Sequence, residues 1–231
     1  MELTPIAREE KENASDYALR VLSRAIARLQ LRPGEFLSEN EVGGKLNLSR
    51  TPVREAFIQL SRGDMVIVLP QRGTYVARID ISRVKESVFL RETMERAVMD
   101  LACASFPQDI LGAMRDNYRQ QETCLANDDI DGFYTLDAQF HGSLFEGCGK
   151  PHVWQMIMQM GQDYNRVRML NLMNGRHNVD RLLHQHRDIL RAILAHDPED
   201  GARAIAGHIG TVMPNLQSLL VQYPHYFRRE N

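Results

Sequence analysis

Residues 49–62, SRTPVREAFIQLSR, restrict the fold of this chain more than any other stretch. Apolar residues recur there every three to four positions, which predicts a helix with one buried stripe; they are Val53, Phe57 and Leu60. Arg50 and Arg54 lie one turn apart and off that stripe. The predicted helix therefore packs by one face and presents two arginines on the other. A solvent-exposed helix with scattered arginines is the simpler alternative, and the flanking sequence must decide between them.

The sequence before this stretch predicts two more helices. The first begins near Tyr17 and continues with an amphipathic pattern. A Pro-Gly turn and a short strand at residues 35–37 follow it. The second helix begins after Ser38, whose spacing to Glu41 fits a capping box, and it ends near Asn47. A short helix, a tight turn and the helix at residues 49–62 have the spacing of a helix-turn-helix.

The sequence after this stretch predicts a two-stranded ribbon. Its strands are residues 65–70 and 74–78, and the turn Gln71-Arg72-Gly73 joins them with an arginine at its tip. Three helices followed by such a ribbon predict a winged helix-turn-helix. In that fold the third helix enters the major groove of DNA, and the ribbon tip reaches the backbone or the minor groove.

Residues 17–78 closely resemble the DNA-binding domain of GntR-type transcriptional regulators, through LRPGEFLSENEVGGKLNLSRTPVREAFIQLSRGDMVIVLPQRGTYV. The family pattern combines PG-x-x-L, a short helix, SR-x-x-VREAL-x-x-L and a P-x-x-G-x-x-V wing. The resemblance implies that one set of residues contacts the operator: Arg50, Thr51, Arg54, Arg72 and Gly73. Asn40 is a further candidate, at a position where some relatives have a DNA-contacting arginine. Gly43 and Gly44 depart from a strong helix and cost about 1 kcal/mol each in helix propensity.

Composition restricts the class of protein less than these patterns do. The 231 residues suffice for two domains, and the formal net charge of −2 gives no sign of a basic nucleic-acid-binding protein. Positive charge is nevertheless concentrated locally, because residues 49–78 contain five arginines and only two acidic residues. Three widely spaced cysteines predict reduced thiols. With no apolar run near 18 residues and no signal-peptide pattern, we expect a cytoplasmic protein with no membrane partner.

The sequence beyond residue 80 predicts only helices, separated by polar turns rich in Asp, Gly, Asn and Pro. Six are expected, at residues 82–106, 107–126, 130–146, 151–173, 179–196 and 198–221. The fold class is therefore mainly α: a winged helix-turn-helix followed by an all-helical bundle. We expect a flexible N-terminal tail at residues 1–16, the DNA-binding domain at 17–79, a helical effector-binding, metal-binding and dimerisation domain at 80–223, and a C-terminal tail at 224–231.

Four side chains of the helical half have the types and spacing of a metal site. Asp137 and His141 are four residues apart and share one helix face. His186 lies 12 residues before position 198 and His208 lies 10 residues after it, so antiparallel helices about a turn there would bring them to the same height. Three imidazoles and a carboxylate suit zinc, nickel, iron or manganese. Surface or core histidines and a simple i,i+4 pair are the alternatives.

The helical half also resembles the FadR-type C-terminal (FCD) ligand-binding domain, over about residues 84–220. The motifs that carry this resemblance are FLRETMERAVMDLA, LDAQFH and the two later histidines. It implies that the metal ligands are Asp137, His141, His186 and His208, with zinc expected first. Arg91 matches the arginine of the opening motif and is a candidate to pair with a carboxylate effector at the metal, although a surface ion pair with Glu95 is the alternative. Arg168 is a second candidate, with a solvent-exposed position as the alternative.

The sequence thus predicts a DNA-binding transcriptional regulator of the GntR type, and repression is expected by family analogy. Because one such helix reads few base pairs, we expect a homodimer on a palindromic operator. A small organic acid bound at the metal-containing cavity would change operator affinity. A metal-dependent enzyme acting on a small carboxylate is the alternative from another class, and a regulator with a metal-free effector site is a third. The identity of the acid, the native metal and the regulated genes do not follow from the sequence.

Overall fold

The computed structural model describes residues 1 and 3–228. Its backbone divides into two compact units. The first contains the chain up to Ile81 together with the chain from Leu220 onward, and the second contains Ser82–Leu219.

The first unit combines three helices with a small antiparallel sheet. The helices are α1 (Ala14–Ala27), α2 (Glu39–Leu46) and α3 (Arg50–Arg62). The strands are β1 (Phe36–Leu37), β2 (Val66–Leu69) and β3 (Gly73–Val76), in the order β1-β3-β2. Strand β3 pairs Tyr75 with Phe36 on one side and Val76 with Val66 on the other. The predicted winged helix-turn-helix is confirmed.

Helix α3 buries the stripe that its sequence predicts. Val53, Phe57 and Leu60 are at most 2% exposed and belong to one apolar core with residues of α1 and α2. Ser38 caps α2 as predicted, because its hydroxyl accepts from the amide of Glu41. Ser49 occupies the N-cap position of α3, but its side chain makes no capping hydrogen bond.

The N-terminal residues do not form the free tail that we predicted for residues 1–16. Leu3 is 7% exposed within the apolar core, and the hydroxyl of Tyr17 donates to the carbonyl of Ile6 at 3.0 Å. Helix α1 begins at Ala14, capped by the side chain of Asn13. The charged composition of this segment concealed three apolar residues, Met1, Leu3 and Ile6, that pack on the core of the first unit. Glu2 is outside the described residues.

The C-terminal residues also differ from the predicted tail at 224–231. The amide of Ile79 donates to the carbonyl of Tyr226 at 2.9 Å, and the amide of Arg228 donates to the carbonyl of Ile79 at 2.8 Å. Phe227 is only 3% exposed. Main-chain pairing with residue 79 therefore fixes this segment up to Arg228. Residues 229–231 of the predicted tail lie outside the described residues.

The second unit is helical, as predicted. Its helices are α4 (Ile81–Ala104), α5 (Gln108–Ala126), α6 (Ile130–Gly147), α7 (Pro151–Met160), α8 (Gln162–Met173), α9 (Arg176–Ala195), α10 (Pro198–Gly210) and α11 (Val212–Gln222). The first residue of α4 and the last three residues of α11 belong to the first unit.

Two of the six predicted helices are each divided into two. The helix predicted at 151–173 breaks at Gly161, where the residue with the least helix propensity after proline lies between α7 and α8. The helix predicted at 198–221 breaks at Thr211, whose amide donates to the carbonyl of His208 and whose hydroxyl donates to the carbonyl of Gly207. These i−3 and i−4 bonds tighten the turn between α10 and α11.

Helix α8 is buried on all sides from Asp163 to Leu172, although half of these residues are polar or charged. Its ion pairs compensate for this burial, because Arg166 contacts Asp163 and Arg168 contacts Asp137 on α6. Helix α8 therefore brings polar groups into the interior of the second unit. Among the described helices, none combines the length and apolarity that crossing a membrane requires.

Candidate metal centre and DNA-binding surface

The four side chains predicted to bind a metal meet inside the second unit. Asp137 and His141 project from α6, His186 from α9 and His208 from α10, and each is at most 4% exposed. One ligand atom from each of the four lies within 4.8 Å of those of the other three. Two ligands come from one face of one helix, and the other two come from helices on either side of the turn near residue 198.

Other side chains hold one nitrogen of each imidazole. His141 Nδ1 lies 2.6 Å from a carboxylate oxygen of Glu95 on α4. The second and third imidazoles are held by amide oxygens, at 2.6 Å between His186 Nδ1 and Gln121 Oε1 and at 3.3 Å between His208 Nδ1 and Gln185 Oε1. Metal-binding imidazoles usually have such partners, which fix the ring orientation and leave the other nitrogen free.

The remaining nitrogens converge on one point. His141 Nε2 and His208 Nε2 are 2.9 Å apart, and His186 Nε2 lies 3.6 Å from Asp137 Oδ1. His186 Nε2 is buried and has no hydrogen-bond partner. Ligand atoms placed 2.0–2.2 Å from one zinc ion lie at most about 4.4 Å apart, so the observed spread fits a single ion after small side-chain adjustments. The residues present therefore fit a metal ion, and the ion would give the buried His186 Nε2 the partner that it lacks.

The protonation states are those that metal binding needs. Burial lowers the pKa of His186 to about 4 and lowers the pKa values of His141 and His208 well below the ordinary value. All three are therefore neutral at pH 7, the form that binds a metal. Burial alone would raise the pKa of Asp137, but the charge of Arg168, together with smaller effects of His141, His186 and Arg91, outweighs it and lowers the pKa to about 2. Asp137 is therefore ionised.

The two candidate effector-binding arginines lie inside the second unit. Arg91 is 3% exposed and forms an ion pair with Glu95 at 2.6 Å, with its guanidinium over the rings of Trp154 and Tyr164. The surface ion pair that was the alternative for Arg91 is therefore a buried pair, connected to His141 through Glu95. Arg168 is 7% exposed and contacts Asp137 directly. The solvent-exposed alternative for Arg168 is wrong.

A cavity of about 20 Å³ lies beside the cluster, which is enough for about one water molecule. Asp137, Arg168 and His208 line it, and Arg91 does not. Its other lining residues mix polar and apolar side chains and come from α8, α9 and the segment from Thr211 into α11: Tyr164, Asn171, Leu172, Asn178, Arg181, Leu182, Thr211, Val212 and Asn215. A ligand larger than water would have to displace part of this wall.

The predicted DNA-binding residues of α2 and α3 are exposed: Asn40, Arg50, Thr51 and Arg54. Arg50 is not free, because its guanidinium pairs with Glu39 of α2 at 2.9 Å. Arg54, one turn further along α3, forms no ion pair among the described residues. Because the Glu39 pair crosses from α2 to α3, it places the start of both helices on one exposed surface.

The predicted wing tip has the expected arginine and a glycine with a structural role. Arg72 is exposed in the turn between β2 and β3. Gly73 has φ +99°, and a Cβ there would lie 2.5 Å from the ring of Phe36. Only glycine combines that backbone conformation with this close approach, so Gly73 sets the shape of the turn that presents Arg72.

Sequence patterns missed the amide partners of the imidazoles. Gln121 lies on α5, where no motif marks it, and Gln185 was passed over although it stands directly before His186 in HQH. Trp154 of α7, whose ring stacks on His141 with centroids 6.1 Å apart, was also missed. Only the juxtaposition of five helices (α5, α6, α7, α9 and α10) identifies these residues, because each contacts a histidine of a different helix.

A three-helix unit with a wing and an exposed arginine-bearing third helix defines a transcriptional regulator of the winged helix-turn-helix class. Residues 16–76 match the family described as bacterial regulatory proteins, gntR family, and residues 86–211 match the FCD domain family. The chain belongs to the GntR family of transcriptional regulators and carries an FCD domain. Members of this family are regulators, not enzymes, which removes the basis for the enzyme alternative.

Known relatives cover nearly the whole chain. The chain is 30% identical over 211 residues to the HTH-type transcriptional repressor RspR of Escherichia coli (strain K12), covering 91% of this chain and 92% of the relative. It is 33% identical over 220 residues to an uncharacterized HTH-type transcriptional regulator in an unstable DNA locus of Streptomyces ambofaciens, covering 94% and 90%. The solved structure of E. coli McbR/YncC has a TM-score of 0.77 at 18% identity, covering 92% of this chain and 99% of that one, and supports the fold alone.

Proposed function

We propose that this regulator is a cytoplasmic repressor that binds a palindromic operator as a homodimer, and that a small organic acid bound beside a metal ion changes its operator affinity. A relative that is 30% identical to this chain is named a transcriptional repressor, which supports repression here. The exposed face of α3 and the wing tip support the contact to DNA. The observation that carries the metal and effector part is the buried, unpartnered nitrogen of His186 amid three other ligand atoms.

The proposed metal is one divalent ion held by Asp137, His141, His186 and His208. Zinc suits three imidazoles and a carboxylate, and nickel, iron or manganese suit them as well. When bound, the ion supplies a Lewis-acidic positive charge to which a carboxylate can bind. The chain's own residues hold the imidazole rings and keep bulk water away from them.

Charge supports an anionic effector. Arg91 and Arg168 contribute +2 and Glu95 and Asp137 contribute −2, so these four buried residues sum to zero and a divalent ion leaves +2. A buried excess of positive charge favours an anion. Arg168 lies on the cavity wall, where one of its nitrogens contacts Asp137 and another lies 3.2 Å from Asn165. Arg91 does not line the cavity and contributes indirectly, because it pairs with Glu95, which in turn contacts His141.

The size of the cavity supports coupling to DNA. Since it holds about one water molecule, an organic acid would have to move side chains or helices that form its wall. We expect the protein to bind its operator with different affinity when this wall has its two arrangements. The effector then changes the affinity for DNA, and DNA changes the affinity for the effector by the same factor. Release of DNA on effector binding is the expected sense for a repressor.

The metal is tested first by elemental analysis and thermal denaturation of the full chain. We expect about one divalent ion per chain, and a melting temperature that falls with a chelator and recovers with added metal. The His141→Ala variant should lose both effects. His184→Ala is the matched control, because His184 is also on α9 but is more than half exposed and pairs with Asp180, away from the cluster. Absence of metal together with no thermal response to zinc, nickel, iron or manganese would refute the metal site.

The coupling is tested by an operator-binding titration. Sugar acids, hydroxy acids and dicarboxylates are first screened by thermal shift with and without chelator, and each acid that binds is then titrated into a gel-shift assay. We expect at least one acid to change operator affinity about tenfold in a metal-dependent way. An acid that binds equally well after chelation would instead support the metal-free effector site. Binding of an acid with no change in operator affinity would contradict the coupling.

A further inference from the structure

Helices α5 and α9 carry the same short pattern, and its members line one groove. Residues 115–119 read RDNYR and residues 187–191 read RDILR. In each, two arginines stand one helical turn apart with an apolar or aromatic residue beside them. The groove, with a volume of about 270 Å³, is lined from α5 by Arg115, Tyr118, Arg119 and Glu122 and from α9 by Arg187, Leu190, Arg191 and Leu194. None of these residues belongs to the metal cluster.

The arginines of the groove fall into two kinds. Arg119 and Arg191 are each held by the aspartate of their own pattern, at 2.8 Å from Asp116 and 3.4 Å from Asp188. Arg115 and Arg187 form no ion pair among the described residues. The two helices therefore each present one tethered and one unpaired guanidinium, and both unpaired ones lie at the equivalent position of the repeated pattern.

The apolar part of the groove lies between the arginines of the two helices. Leu190 is 6% exposed, whereas Leu194, one turn further along α9, is 50% exposed. Tyr118 contributes its ring from α5, where Glu122 lies one helical turn further along. Asp116 and Asp188 balance Arg119 and Arg191, and Glu122 lies on the same lining as the two unpaired arginines. Arg115, Arg187 and Glu122 therefore leave a net charge of +1 in the groove.

We propose that this groove binds an acidic amphipathic helix of a partner protein. Its apolar residues, spaced at i and i+3 or i+4, would cover Leu194 and Tyr118, and its flanking Asp or Glu residues would pair with Arg115 and Arg187. An open groove between two packed helices suits a helix laid along it. The seven-residue step from Arg115 to Glu122 spans about 10 Å, so two to three turns of a longer partner helix lie in the groove.

The shape of the groove favours a helix over a small anion. Binding sites for small ligands enclose most of the ligand and place several polar groups around it. This groove is a shallow surface depression in which the unpaired arginines flank apolar side chains, so a small phosphate compound would leave Tyr118 and Leu194 uncovered. A partner that is both apolar and acidic matches the whole surface.

The test measures binding of two labelled synthetic peptides to the full-length protein by fluorescence anisotropy. Both peptides are 14-residue capped helices with leucine at i and i+3 or i+4, flanked by glutamate in one and by lysine in the other. We expect the glutamate peptide to bind at least tenfold more tightly than the lysine peptide, and its binding to weaken as salt is raised. The double variant R115E/R187E should weaken the glutamate peptide at least tenfold and strengthen the lysine peptide.

Controls separate the groove from general effects of charge and folding. R203E reverses an exposed arginine of α10 outside the groove and should leave the binding of both peptides within twofold. Leu194→Ala removes an exposed apolar contact without changing charge and should weaken the glutamate peptide several-fold. If circular dichroism shows that R115E/R187E does not fold, Leu194→Ala still tests whether the peptide binds in the groove.

Several results would overturn the proposal. These are no detectable binding of the glutamate peptide, equal binding of the two peptides, or equal binding by the groove variants and R203E. Binding of inorganic tripolyphosphate that displaces the peptide and is lost in R115E/R187E would indicate a small-anion site instead. A change in oligomeric state of R115E/R187E in light scattering would assign the groove to contact between copies of this chain.

Discussion

Arg50 and Arg54 lie in the first two turns of α3, the helix proposed to contact DNA, and they differ in their surroundings. Arg50 pairs with Glu39 across the turn of the helix-turn-helix, whereas Arg54 is exposed and unpaired among the described residues. An exposed ion pair contributes only about 0–1 kcal/mol. Arg50 can therefore exchange Glu39 for a phosphate or base at small cost, and Glu39 meanwhile restricts the rotamers of its side chain.

Replacing either arginine tests the DNA-facing surface at the level of one residue. Arg50→Ala and Arg54→Ala should each weaken operator binding by about 1–3 kcal/mol, because each removes a charged contact to DNA. Their melting temperatures should stay near that of the wild type, since both side chains are exposed. Anisotropy titration with an operator duplex measures the effect. Arg62→Ala, at the far end of the same helix, is the control, and unchanged binding by both test variants would disprove the assignment.

The imidazole partners make a second prediction at this scale. Gln121 is fully buried and its amide oxygen lies 2.6 Å from His186 Nδ1. Gln121→Ala should weaken metal binding about tenfold to a hundredfold, because the ring of His186 loses the contact that orients it. Competition with a chromophoric chelator gives the dissociation constant. Gln120→Ala changes the exposed neighbour and should have no effect, and equal affinity of the two variants would exclude an orienting role for Gln121.

At the scale of elements, α2 shows why two adjacent glycines are not equivalent. A Cβ on Gly43 would lie 2.8 Å from the carbonyl oxygen of Leu48, in the turn between α2 and α3, whereas a Cβ on Gly44 would meet nothing within 4 Å. The sequence predicted that both glycines weaken the helix. The structure shows that Gly43 also allows the turn to approach α2 closely, and that Gly44 has no such role.

Two alanine variants separate these effects. Gly44→Ala should stabilise the protein by about 0.5–1 kcal/mol, because alanine loses less conformational freedom in a helix. Gly43→Ala should destabilise it by about 1–3 kcal/mol through the forced shift of the turn. Chemical denaturation of each variant gives the free energy of unfolding. The explanation fails if the two substitutions have the same sign.

The elements themselves were largely predictable from the sequence. The periodicity of residues 49–62, the Ser38 cap and the turn at residues 71–73 are local patterns, and the structure has the corresponding elements within a few residues. Breaks at Gly161 and Thr211 were missed because a single residue interrupts an otherwise continuous apolar pattern. The packed segments at both termini were missed because their few apolar residues form no repeating pattern.

At the scale of the whole molecule, the proposed homodimer needs an apolar surface that is left exposed in a single chain. Phe89 on α4 is 73% exposed, and Met156 and Met160 on α7 are 61% and 58% exposed. The two helices are connected by one side-chain contact, since the guanidinium of Arg91 on α4 lies 5.4 Å from the ring centre of Trp154 on α7. These exposed apolar side chains are therefore candidates to contact a second copy of the chain.

The double variant Phe89→Glu with Met156→Glu tests this surface. It should be monomeric at concentrations where the wild type is a dimer, because four glutamates would be buried at a two-fold interface. Light scattering after size exclusion measures the mass, and operator binding should weaken because the two half-sites are no longer bound together. Met173→Glu, at a 55% exposed methionine on α8, is the control. A dimeric double variant would place the interface elsewhere.

The sequence by itself determined the class of this protein, because local apolar periodicity and turn residues predict the helix-turn-helix, the wing and the helical bundle. It also nominated the four ligand residues, since Asp137 and His141 share a helical turn and the two later histidines flank one polar turn. Tertiary structure alone decided how those residues are held. Glu95, Gln121 and Gln185 come from three helices, and Arg168 comes from a helix whose polar sequence concealed its burial. Such contacts depend on which helix faces pack together, and no local pattern encodes that choice.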